Sequence, residues 1–132
     1  KNILSSTRVD FAIETLDDAT TIGFGGLIGI DKAVRKAELY IFIGDTSYWG
    51  GGYGSEGYKL ITNYGFCELG LDRIFQFQLE ENDKAIASVK RLGWKYEGLL
   101  RGDVLSHGVL KNRWIVSILR DEWQQNDIYD DL

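Results

Sequence analysis

From Val9 to Thr15 apolar and polar residues alternate (Val-Asp-Phe-Ala-Ile-Glu-Thr), as they do in a strand with one buried face. Leu16-Asp17-Asp18-Ala19 reads as a turn. The β-rich run from Thr20 to Ile30 is interrupted by Gly23, Gly25, Gly26 and Gly29, a pattern of bulges or close backbone approach rather than of a helix. After the turn Asp31-Lys32-Ala33, the segment Glu38-Leu39-Tyr40-Ile41-Phe42-Ile43 is apolar on both faces beyond its first residue. It predicts a central strand covered on two sides and ending at Gly44-Asp45.

The period then changes. Tyr58, Ile61, Tyr64 and Glu68-Leu69 recur at helical spacing through residues 55–69, with Gly70 as the stop. Residues 74–79 alternate as a strand. Asn82 or Asp83 caps a helix whose apolar positions Ala85, Ile86, Val89 and Leu92 close at Gly93. Trp94 to Leu105 and Val109 to Leu119 form two β segments about Ser106-His107-Gly108, and Arg120 onward reads as a surface tail. Three strands, a glycine loop, helix, strand, helix and two strands make an α+β domain with an antiparallel front and a crossover. We expect one domain over residues 1–120 and an acidic tail over 121–132.

Composition narrows the chemistry. The 132 residues are 44% hydrophobic and 27% charged, the balance of a chain that fills a core. No apolar run reaches the ~20 residues of a membrane-spanning helix and no leader of signal-peptide form is seen, so an intracellular, cytoplasmic setting without a membrane partner is expected. Neither Met nor Pro occurs, as expected of a fragment or of a chain that has lost residues. Cys67 has no second cysteine to pair with, and the single His107 leaves no Cys/His cluster for a metal. Cys67 falls on the first helix and is expected in the core; His107 is expected in a hairpin turn. The net charge of −5 comes from five acids after residue 120, so residues 1–120 carry 15 charges of each sign. No basic stripe marks a nucleic-acid partner.

Between the buried strand and the first helix stands Trp49-Gly50-Gly51-Gly52-Tyr53-Gly54-Ser55-Glu56. Glycines there let backbone N–H groups converge on an anion, and the helix start adds its positive dipole; a plain surface turn is the other reading. A nucleotide-binding P-loop would need Lys-Ser/Thr after the last glycine, where Ser55-Glu56 follows, and the spacing does not fit the dinucleotide fingerprint Gly-x-Gly-x-x-Gly.

From about residue 9 to residue 123 the chain resembles the GNAT superfamily of acyl-CoA-dependent N-acyltransferases, most of all its ribosomal-protein and spermidine N-acetyltransferase branch. The carrying stretches are 35–44, 48–57, Asn82-Asp83-Lys84-Ala85-Ile86, Arg91-Leu92-Gly93-Trp94 with Glu97-Gly98, and 118–123. The resemblance implies the GNAT fold, a mixed sheet flanked by helices, entered at about the family's second strand with the first strand and two helices absent. It implies acetyl-CoA as donor and a primary amine as acceptor, attacked directly in a ternary complex. A protein N-terminus, a polyamine, an amino sugar and an antibiotic are all open, and a homodimer is compatible with it. A non-catalytic acyl-CoA-binding or interaction module of the same fold is the alternative.

Site residues follow from the same resemblance. Gly52 and Gly54 occupy the two small positions of the family's pyrophosphate loop, with Gly50, Gly51, Tyr53 and Ser55 around them; Trp49 stands where Gln or Arg is usual and Gly51 where Lys or Arg is. The strand Glu38 to Ile43 implies a bulge whose backbone, at Ile41, Phe42 and Ile43, takes the pantetheine arm. Asn82 matches an Asn that contacts the same arm. Val89 falls where many members carry a Tyr that protonates the leaving thiolate, so Ser88 or water takes that role, or the thiolate leaves unprotonated. Glu38 is the candidate base for the amine, the other reading being an ion pair with Arg35 or Lys36.

Overall fold

The computed structural model describes residues 7–44, 46–48 and 52–124. Six strands form one sheet in the order β1-β2-β3-β4-β6-β5: β1 Val9–Glu14, β2 Thr21–Asp31, β3 Lys36–Ile43, β4 Arg73–Leu79, β5 Lys95–Ser106 and β6 Val109–Leu119. All neighbours are antiparallel except β3 and β4. Helices α1 (Tyr53–Cys67), α2 (Asp83–Arg91) and the short α3 (Arg120–Gln124) complete the fold.

One face of the sheet builds the core. Leu27, Leu39, Ile74, Val116 and Ile118 meet Ile61 and Phe66 of α1 and Val89 of α2, with Leu92 and Trp94 just beyond. Close approach of α1 depends on Gly65, where an added Cβ would stand 2.8 Å from the Ile74 Cδ1. Gly52 precedes α1 at φ 89°, a left-handed conformation that glycine adopts without steric cost. Asn82 caps α2 by accepting from the Ala85 N–H.

Three expectations change. The extra residue between β2 and β3 lies on β2, near Gly29 (φ 61°), while Glu38 to Ile43 pairs with β2 without a break, so the bulge implied by the resemblance does not show in the β2/β3 register. Arg120–Gln124 is helical and buries Trp123 completely against Phe66, with Arg120 donating to the Phe66 carbonyl at 2.7 Å, so the chain does not turn into a surface tail at Arg120; the expected tail from residue 125 on lies outside the described residues. Cys67, the last residue of α1, is exposed rather than packed in the core. His107 (φ 53°) and Gly108 (φ 79°) make the two-residue turn between β5 and β6, both in the left-handed region a tight hairpin asks for. Among the described residues no helix is long and apolar enough to cross a membrane, and no group of three metal-ligating side chains forms.

Candidate active site

The site begins where the sheet comes apart. β3 and β4 pair only at Lys36/Arg73, Ala37/Ile74 and Glu38/Phe75; beyond that apex Leu39 to Ile43 and Gln76 to Leu79 diverge. α1 starts beside the far end of β3, and α2 follows β4 on the same face. Between them lies a cleft of about 530 Å3 lined by Ile41, Phe42 and Ile43 of β3, Gly52, Gly54 and Ser55 at the head of α1, and Asn82, Ala85 and Ser88 of α2.

The glycine-rich segment therefore meets the cleft at Gly52, Gly54 and Ser55; Gly50 and Gly51 lie outside the described residues. A Cβ on Gly54 would find no atom within 4 Å, so this wall is open to an incoming group. Two expected contacts take other places. Tyr53 turns to the opposite side of α1, into a second cleft, with its ring 5.3 Å from that of Tyr48. Val89 is fully buried in the core, because α2 must bury its apolar stripe against the sheet.

Five cleft residues were not among the expected site residues: Tyr48, Tyr58, Lys84, Ala85 and Arg91. Arg91 Nη2 reaches to 3.5 Å from Ser55 Oγ, which carries a guanidinium from α2 to the head of α1. Lys84 stands on the first turn of α2. No carboxylate lines this cleft among its described residues, so two cations and the positive end of a 15-residue helix act on whatever enters.

Glu38 occupies the apex itself. Its partner across β3/β4 is Phe75, and strand alternation turns both toward the face of the sheet that carries no helix. Burial lifts its carboxyl above the usual carboxylate range, with the Arg113 guanidinium opposing. Arg35 pairs with Asp72 at 2.9 Å instead, and among the described residues Glu38 makes no ion pair. On the helix side of the same apex, Tyr58 donates to Gln76 Oε1 at 2.7 Å and accepts from Gln78 Nε2 at 3.0 Å. Gln78 also donates to Gln76.

The glycine-headed helix after a buried strand was expected above, and the parting of the parallel strands beside it is added by the structure. The family description "Acetyltransferase (GNAT) domain" matches residues 2–95. The chain belongs to the GNAT acetyltransferases. Its GNAT fold is shared with a spermidine N-acetyltransferase SpeG chimera from Vibrio cholerae and hSSAT, at TM-score 0.88 and 25% identity over 94% of this chain and 74% of that one. Among GNAT relatives, the uncharacterized N-acetyltransferase p20 of Bacillus licheniformis is 32% identical over 86% of this chain and 63% of its own length. The spermidine N(1)-acetyltransferase of Escherichia coli K12 is 29% identical over 93% and 64%. The chain thus spans less than two thirds of the length of these two curated relatives.

Proposed function

We propose that this chain binds acetyl-CoA in the cleft between β3, α1 and α2 and transfers the acetyl group to a primary amine by direct attack. The observation that carries the reading is the parting of β3 and β4 beside a cleft walled by cations and helix N–H groups. In this reading the amides at Gly54 and Ser55, with Arg91 and Lys84, hold the phosphates of the donor. Charge-assisted bonds of this kind contribute about 1.5–3 kcal/mol each. The edge of β3 at Ile41 to Ile43, unpaired by β4, takes the amide-bearing arm, and Asn82 lies along its path. When bound, the donor supplies an acyl carbon activated by a thiol leaving group.

Glu38 does the work on the amine. A primary amine of pKa ~10 is protonated at neutral pH and must lose that proton before it attacks. A carboxylate whose pKa is raised by burial is a stronger base than a solvated one, and Phe75 and Phe77 on the same face offer apolar walls for the acceptor's methylenes. Names of relatives point to spermidine as an acceptor to try first, with peptide N-termini and amino sugars beside it. With Val89 where a tyrosine is usual, the leaving thiolate needs a proton from another group, Ser88 being one hydroxyl on the cleft wall.

Glu38→Gln tests the reading. At neutral pH kcat/KM for spermidine should fall by about 10²–10⁴, the usual contribution of a positioned proton acceptor. The loss should shrink as pH rises and the amine deprotonates unaided, while acetyl-CoA affinity by calorimetry stays unchanged. In the wild-type chain activity should fall on acidification through the Glu38 pKa, at a higher pH than an ordinary carboxylate would give. Acetyl-CoA binding with no thiol release on any amine would mark a non-catalytic module instead.

A further inference from the structure

Tyr58 is the buried titratable group at the apex that this mechanism leaves unused. It is 7% exposed, lines the donor cleft, and its ring packs edge-on against Trp94 at 6.1 Å between centroids. Its hydroxyl is bound to Gln76, the first residue of β4 beyond the last β3/β4 pair, and to Gln78. Gln76 and Gln78 are themselves buried, at 6% and 4% exposure. Three apolar side chains of similar size would fill this place without the cost of burying polar groups, so packing alone does not call for the trio.

The trio also stands in a particular relation to Glu38. Glu38 flanks the apex from the helix-free face, whereas Gln76 points to the helix face with its cross-strand partner Val116, which is fully buried there. A group held at the apex would have the Glu38 carboxyl on one face of the sheet and the Tyr58 phenol on the other. Given the donor-cleft reading above, on which this rests, we propose that Tyr58 is the proton donor to the leaving thiolate and that Gln76 and Gln78 hold its hydroxyl in place.

The step balances. As the N–C bond forms, the C–S bond breaks and its electron pair goes to sulfur; Tyr58 gives its proton to that sulfur and recovers one from solvent, while Glu38 accepts the proton the amine sheds. A phenol of pKa ~10 is better matched to a thiol of pKa ~8.5 than an aliphatic alcohol such as Ser88 is. Burial holds the Tyr58 pKa up and so keeps the hydroxyl protonated at neutral pH.

The test uses the whole chain, acetyl-CoA and spermidine. Tyr58→Phe keeps the ring that packs on Trp94 and should lower kcat by about 10²-fold or more, with acetyl-CoA affinity by calorimetry unchanged. The wild-type decline of kcat at high pH, where the phenol ionises, should disappear. Gln76→Leu should lower kcat less and leave that decline in place. Wild-type chain made with 3-fluorotyrosine should show the decline at lower pH, a readout independent of any variant's folding. Full kcat in Tyr58→Phe, a decline that the fluorinated residue does not move, or a loss carried by Ser88→Ala instead would overturn the assignment to Tyr58 alone. Absence of acetyl-CoA binding to the wild-type chain would overturn the donor-cleft reading and this proposal with it.

Discussion

Two clefts flank α1, and the larger is the wrong one for a polyphosphate. The cleft against β1 measures about 740 Å3 and is lined by Glu14, Asp17 and Glu56 with no Lys or Arg among its described residues. The one against β3 measures about 530 Å3 and carries Lys84 and Arg91 with no acid. Both have apolar and aromatic walls, so size and hydropathy favour neither. The sign of the charge decides, because a multiply charged anion entering the β3 cleft gains from every ionised side chain and entering the β1 cleft is opposed by each.

The comparison breaks most directly at Gly54. Gly54→Val adds a branched side chain where the backbone should meet phosphate, at a position whose Cβ meets no packed atom within 4 Å. Several charge-assisted bonds would be lost together, so acetyl-CoA affinity should fall by about 100-fold or more with the thermal midpoint nearly unmoved. Normal affinity would remove the phosphates from the head of α1. Arg91→Ala sharpens the electrostatic side: a loss of about tenfold to a hundredfold, smaller at high salt where exposed charges are screened. A loss indifferent to salt would mean that Arg91 acts through packing. Least is expected of Glu56→Gln in the other cleft, at most about 1 kcal/mol of helix stability from a charge at an N-terminal turn, and no change in acetyl-CoA affinity. Markedly tighter binding in that variant would put the donor next to Glu56 after all.

Periodicity located nearly every element, because alternation and helical spacing are properties of local sequence. It was a poor guide to which face of β4 is buried. In Phe75-Gln76-Phe77-Gln78 the polar residues are the buried ones, while both phenylalanines stay partly exposed. Their partner Tyr58 lies 18 residues before Gln76 and reads as one more apolar helix position. Lys84 and Arg91 stand in stretches that carry the resemblance, but their place at the cleft was not legible for the same reason: α2 meets the head of α1 across a gap in space, not along the chain. The resemblance supplied Glu38, Asn82 and the glycines, since those positions belong to a motif. α3 was missed because Trp123 is a lone apolar residue in an acidic run, and only the groove beside Phe66 explains its burial.

Among the described residues three parallel pairs join β1-β2-β3 to β4-β6-β5 within the sheet. The molecule is in this sense two antiparallel three-stranded leaves sewn by a short seam, with α1 laid across as backing. A ligand whose arm lies along the open edge of β3 lengthens that seam with bonds the chain does not make for itself. Its binding free energy then enters the folding equilibrium directly, since only the folded leaves offer the edge. Amide hydrogens of β3 and β4 near the apex would be the ones whose exchange slows most on loading, and the fold would be least secure with the cleft empty.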